Sequence, residues 1–158
     1  MNARHGSLMG AAAMLLALAG MMGSSRVLAQ GRLATAKTVQ CSMLRQATGT
    51  FQKAGGADAA VKAAKLVLRF ESIDSDAGTA SLRNGAVGAD VTVRLTEGYL
   101  HFMQAFRTGP LYTTTVFESG ASAGKFKAVH SRHEYFTTPL PGATSSPEQY
   151  YGECEILQ

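Results

Sequence analysis

Apolar and polar residues alternate along most of the chain after Leu66. Leu66, Leu68 and Phe70 alternate with Lys65, Val67, Arg69 and Glu71, giving one apolar face and one mostly charged face. A period of two is the mark of a half-buried β-strand. This strand ends at Asp74-Ser75-Asp76-Ala77-Gly78, where aspartate side chains can cap nearby backbone amides. A short strand follows over Thr79 to Arg83, and Asn84-Gly85 breaks it because both residues tolerate positive φ.

The clearest hairpin joins Asp90–Thr96 to Tyr99–Phe106 through Glu97-Gly98. A two-residue turn there places Thr96 opposite Tyr99, and the pairs 95 with 100, 93 with 102 and 91 with 104 follow. Val91, Val93 and Leu95 then share an inner face with Leu100 and Phe102, while Tyr99, His101 and Met103 face outward. The patterns of the two strands agree on this register, and a slip of one residue would reverse every side chain.

Gly109-Pro110 punctuates the next connection, Leu111 to Phe117 reads as a strand, and residues 120–124 form a small-residue loop. Lys125 to Phe136 is long enough for a strand with a bend. Residues 137–147, with three prolines, read as a surface loop, and Gln149 to Leu157 as a final strand carrying Cys154. Before Leu66, Val39, Cys41 and Met43 fit a first strand, and residues 49–56 read as loop. Asp58 to Lys65 fits a short helix with Asp58 as N-cap, or a loop feeding the next strand.

Seven or eight short strands without long helical crossovers imply an all-β, antiparallel single domain. An up-and-down β-barrel, resembling the calycins in general shape, satisfies the pattern, and a β-sandwich is the alternative. Charged outer faces on the clearest strands argue against a membrane-spanning barrel.

The N-terminus changes which residues enter the fold. Arg4 precedes an apolar run of 13 residues, Leu8 to Gly20, and Val27 and Ala29 supply small side chains at a cleavage site. This is the layout of a secretory signal peptide over residues 1–29, leaving 30–158 as the domain. The run is too short to span a bilayer of about 30 Å. Losing Arg4 and Arg26 leaves 13 basic against 11 acidic side chains, and the net charge falls from +4 to +2. The basic residues are scattered singly, so no nucleic-acid partner is expected.

Cys41 and Cys154 are the only cysteines. In an oxidising periplasmic or extracellular compartment they are expected to form a disulfide. Neither has a second metal ligand close in sequence, and no metal or cofactor is expected. Asp74 and Asp76 lack the glycine and glutamate that would continue a calcium loop.

One segment conflicts with a simple core. If Lys125 and Lys127 face water, Phe126 and Ala128 face inward, and unbroken alternation puts His130, Arg132 and Glu134 inward too. Buried charges are costly unless paired, so such a stripe forms an internal network or lines a wet cavity at a barrel mouth. Alternatively, a β-bulge near Val129 swaps the faces and brings Val129, Ser131, His133 and Tyr135 inward. Bulges are common and buried charge triplets are not, which favours the bulge. His130 and His133, three apart on a strand, point to opposite faces and do not readily share an ion.

Three functions follow from these arrangements. The first is a non-enzymatic module that binds a small, partly apolar ligand through His130, Arg132 and Glu134. The second is an interaction or inhibitor domain using the loop 137–147 with Tyr99 and Met103. The third is a cofactor-free isomerase or hydrolase with His130 and Glu134 as acid and base. Glu118 and Glu134 are a further carboxylate pair, for which spacing alone carries no weight.

Overall fold

The computed structural model describes residues 31–51, 55–84, 87–134 and 146–157. The segment 1–29 read as a signal peptide, Tyr135 and most of the segment 137–147 read as a surface loop lie outside them. Eight antiparallel strands, β1 Val39–Phe51, β2 Ala57–Asp74, β3 Thr79–Asn84, β4 Val87–Thr96, β5 Tyr99–Ala105, β6 Leu111–Ser122, β7 Lys125–His133 and β8 Glu148–Ile156, pair in chain order. β8 returns to β1, which closes the barrel. The all-β, antiparallel single domain is thus one sheet closed into a ring, the form of the barrel reading.

The β4–β5 hairpin has the register that its alternation predicts, with Thr96 opposite Tyr99, Leu95 opposite Leu100 and Val93 opposite Phe102. Val91, Val93, Leu100 and Phe102 are buried, and Phe102 stacks on Phe70 across the interior. The Asp74 turn also forms as read, its carboxylate accepting the N–H groups of Asp76 and Ala77. Cys41 and Cys154 are directly opposite one another on β1 and β8 and are joined by a disulfide.

The N-terminal half of β2 is different from its reading. Asp58 to Lys65 is neither helix nor loop but strand, and residues 49–51, read as loop, belong to β1. Its alanines and lysines favour a helix locally. The ladder to β1, which runs from Val39↔Phe70 to Phe51↔Ala57, overrides that preference. β6 likewise runs on through Ser122, into the stretch read as a loop.

A 3-10 turn, Arg32–Thr35, closes one end of the barrel with the buried Leu33. The Glu118 carboxylate accepts the backbone N–H groups of Arg32 and Leu33 and so caps this turn. Glu118 and Glu134 are therefore not a working pair. Leu111, at the start of β6, pairs with His133 beside Glu134. Six residues of strand lie between Leu111 and Glu118, a span of roughly 23 Å.

The interior is thus divided. Phe70, Phe102, Phe126, Leu100 and Val116 fill the half that the 3-10 turn closes, and the buried polar residues Gln46, Thr114, His130, Glu134 and Glu148 gather towards the other half.

Candidate functional site

β7 carries no bulge. Its ladders to β6 and β8 run without a register shift from Arg132 through Lys127, and burial alternates with Phe126, Ala128 and His130 inside. The face swap at Val129 is therefore corrected: His133 is exposed, Val129 and Ser131 are only half-buried, and His130 is 3% exposed. The regular ladder leaves no extra residue with which to invert the pattern.

The bulge lies instead in β1. Met43 is opposite Gly152, but Arg45 is already opposite Tyr151, so Leu44 and Arg45 together face one residue of β8. That extra residue reverses the facing of β1 beyond it. Val39, Cys41 and Met43 point inward before the bulge, and Gln46 points inward after it. Gly152 makes room, because a Cβ there would lie 2.1 Å from the Ser42 carbonyl oxygen.

The redirected Gln46 donates from Nε2 to Glu148 Oε1, and the Tyr150 hydroxyl donates to Glu148 Oε2 at 2.6 Å. A parallel arrangement faces it, in which the Tyr112 hydroxyl donates to Glu134 Oε2 at 2.8 Å. The Arg132 guanidinium sits between these units, 5.3 Å from the Tyr112 ring centre, 5.4 Å from that of Tyr150 and 3.9 Å from Glu148 Oε2. Aromatic faces and a carboxylate together offset the cost of withdrawing this charge from water.

His130 completes the cluster. Arg132 Nε donates to its Nε2 at 3.4 Å, and its Nδ1 is 2.8 Å from Thr114 Oγ1. A guanidinium can only donate, so Nε2 is the acceptor and the ring proton sits on Nδ1, facing Thr114. Burial, reinforced by the Arg132 charge and opposed by a hydrogen bond to the Thr113 backbone, pushes the imidazole down to about 4. The folded site therefore favours the neutral ring. Stability linked to His130 is complete above about pH 6.5 and is lost as pH falls towards 4. Burial and the hydrogen bonds to Glu134 and Glu148 push the Tyr112 and Tyr150 phenols up to about 12, so both remain protonated donors.

Beside this cluster is a cavity of about 340 Å³. Leu66, Leu68, Leu82, Ala89 and Phe106 form its apolar wall, and Gln104, Tyr112, His130 and Arg132 its polar one. Arg83 is also at the wall, where it is held by an ion pair to Glu71 at 2.8 Å. Of the three residues singled out on β7, His130 and Arg132 line the cavity. Glu134 is buried and holds Tyr112.

Gln46, Glu148 and Tyr112 are members of the cluster that alternation along β7 does not reveal. Gly152, a glycine inside a strand, is the sequence signal for the bulge that brings Gln46 in. His130 bonds Thr114, Arg132 and the Thr113 backbone, and Glu134 accepts from the Tyr112 hydroxyl. Compared with protein-family models, with curated proteins and with solved structures, the chain matches none of them.

Proposed function

We propose that this protein is an exported, non-enzymatic binding module that holds a small, partly apolar ligand in the open half of its barrel. The observation that carries the reading is the placement of Arg132 and His130 in the wall of an otherwise apolar cavity of about 340 Å³. A volume of that size falls within the range of small-molecule sites, which combine apolar walls with a few fixed polar groups. Export is supported by the leader over residues 1–29 and by the Cys41–Cys154 bridge, which suits a periplasmic or secreted location.

The chemistry of the wall sets the ligand's polar end. His130 uses Nδ1 towards Thr114 and accepts at Nε2, so the strongest donor left is the Arg132 guanidinium, whose terminal nitrogens have Glu148 at 3.9 Å among the described residues. Glu134 and Glu148 lie behind Tyr112 and Tyr150, whose hydroxyls donate to them. The site therefore suits a hydrogen-bond acceptor such as a carbonyl oxygen. Glu134 acts indirectly, by fixing the Tyr112 ring against which Arg132 lies.

Fluorescence titration with the apolar probe N-phenyl-1-naphthylamine, displaced by a medium-chain ketone, tests this reading. Saturable binding of the probe is expected, and Ala89→Trp, which fills the cavity, is expected to abolish it. Arg132→Met should weaken the ketone about tenfold while leaving the probe unchanged, the size of one lost charge-assisted hydrogen bond. Undiminished probe binding by Ala89→Trp would remove the site from the cavity and refute the reading.

A further inference from the structure

The cavity reaches the outer surface through a gap in the barrel wall. β3 pairs with β2 only from Arg69 to Asp74, and among the described residues no strand lies on that side of residues 57–68. Leu66, Val67 and Leu68 of the uncovered stretch line the cavity together with Leu82 and Arg83 of β3. Val67 and Arg83 belong to the outer face, because their neighbours Leu68 and Leu82 turn towards the core. Two outer-face residues in the lining mark a side opening, and its sill is the last rung of the ladder, Arg69 opposite Arg83.

Like charges directly opposite on a sheet repel. One carboxylate stands between these two: Glu71 meets Arg69 Nε at 2.7 Å and Arg83 Nε at 2.8 Å. A guanidinium has about five N–H donors and a carboxylate accepts at about four positions, so the pair keeps donors to spare and one positive charge stays unmatched. Elsewhere on this face the exposed Lys65 offsets the exposed Asp90.

We propose that Arg69 and Arg83 seat a carboxylate at one end of the cavity's ligand, whose apolar chain passes inward between β2 and β3 and brings a carbonyl to Arg132. The ligand class is then an oxo acid, and the inference rests on the cavity's being the ligand site. The sill is the better seat for the ion. Its arginine side chains are 46% and 49% exposed, so a carboxylate there keeps part of its hydration, which it would lose in the interior.

Displacement of N-phenyl-1-naphthylamine by 8-oxononanoic acid and by its methyl ester, at neutral pH, tests the seat. The acid should bind about fivefold tighter than the ester, the scale of a partly exposed ion pair. Arg83→Met and Arg69→Met should each remove that advantage, because Glu71 then balances the one guanidinium left. Both should leave the ester unchanged, which also reports an intact fold. Arg132→Met should weaken acid and ester alike. An acid that binds no tighter than the ester, or an advantage that survives both sill variants, overturns the proposal. Failure of both compounds to displace the probe removes the cavity itself as the ligand site, and the carboxylate seat with it.

Discussion

Replacing Gly152 by alanine is expected to destabilise the barrel by about 3 kcal/mol or more. Gly152 faces Met43 on β1 and Ala128 on β7 at the point where β1 bulges. An added Cβ would meet the Ser42 carbonyl oxygen at 2.1 Å, Met43 Cα at 2.7 Å and the Ser42 carbonyl carbon at 2.9 Å. All three are backbone atoms, so no side chain can rotate away. Relief requires β1 and β8 to separate, at the seam where the barrel closes and close to the turn of β1 that aims Gln46 at Glu148. Urea unfolding of Gly152→Ala should show a midpoint far below that of the wild type or no cooperative transition at all. An unchanged midpoint would mean that β1 does not approach β8 as described.

Removing the Cys41–Cys154 bridge is the second large effect. The half-cystines are 113 residues apart in sequence, and in the chain-entropy model a loop that long stabilises by up to about 4 to 5 kcal/mol. Both are almost wholly buried in the apolar core, so a Cys41→Ala, Cys154→Ala variant also loses packing. A loss of about 2 to 5 kcal/mol is expected, with β1 and β8 still paired in the surviving folded population because their ladder extends from Val39↔Ile156 to Thr48↔Glu148. Thermal unfolding of the variant beside the wild type, with and without reductant, measures this. A wild-type protein that takes up a thiol-alkylating reagent without prior reduction would show that the bridge is absent.

The strands whose own residues alternate between apolar and polar are the legible ones. Leu66, Leu68 and Phe70 alternate cleanly, and Glu97-Gly98 fixes the β4–β5 register by itself, because local turn geometry and burial on one face give the same answer. Asp58 to Lys65 was not legible as strand, since its residues prefer a helix and only the ladder to β1, from Thr50 opposite Asp58 to Arg45 opposite Ala63, imposes the extended form. The polar cluster divides along the same line. His130 and Arg132 follow from alternation along an unbroken strand. Gln46 depends on the bulge at Leu44 and Arg45, and strict alternation from Val39, Cys41 and Met43 turns it to the outside. Tyr112, Tyr150 and Glu148 look like ordinary strand residues until β6 and β8 flank β7 and bring their side chains around Arg132.

The central claim is that β7 turns its polar stripe into the barrel, with a neutral His130 locked between Thr114 and Arg132 beside the cavity. An NMR titration of the imidazole nitrogens in protein labelled with 15N-histidine tests it most directly. The His130 ring should keep its proton on Nδ1 and stay neutral through pH 5, taking up a second proton only near 4, because of its burial and the Arg132 charge. A His130 ring that titrates near its ordinary value of 6.5 in the folded protein would place it in solvent on the outer wall, and contradict the site.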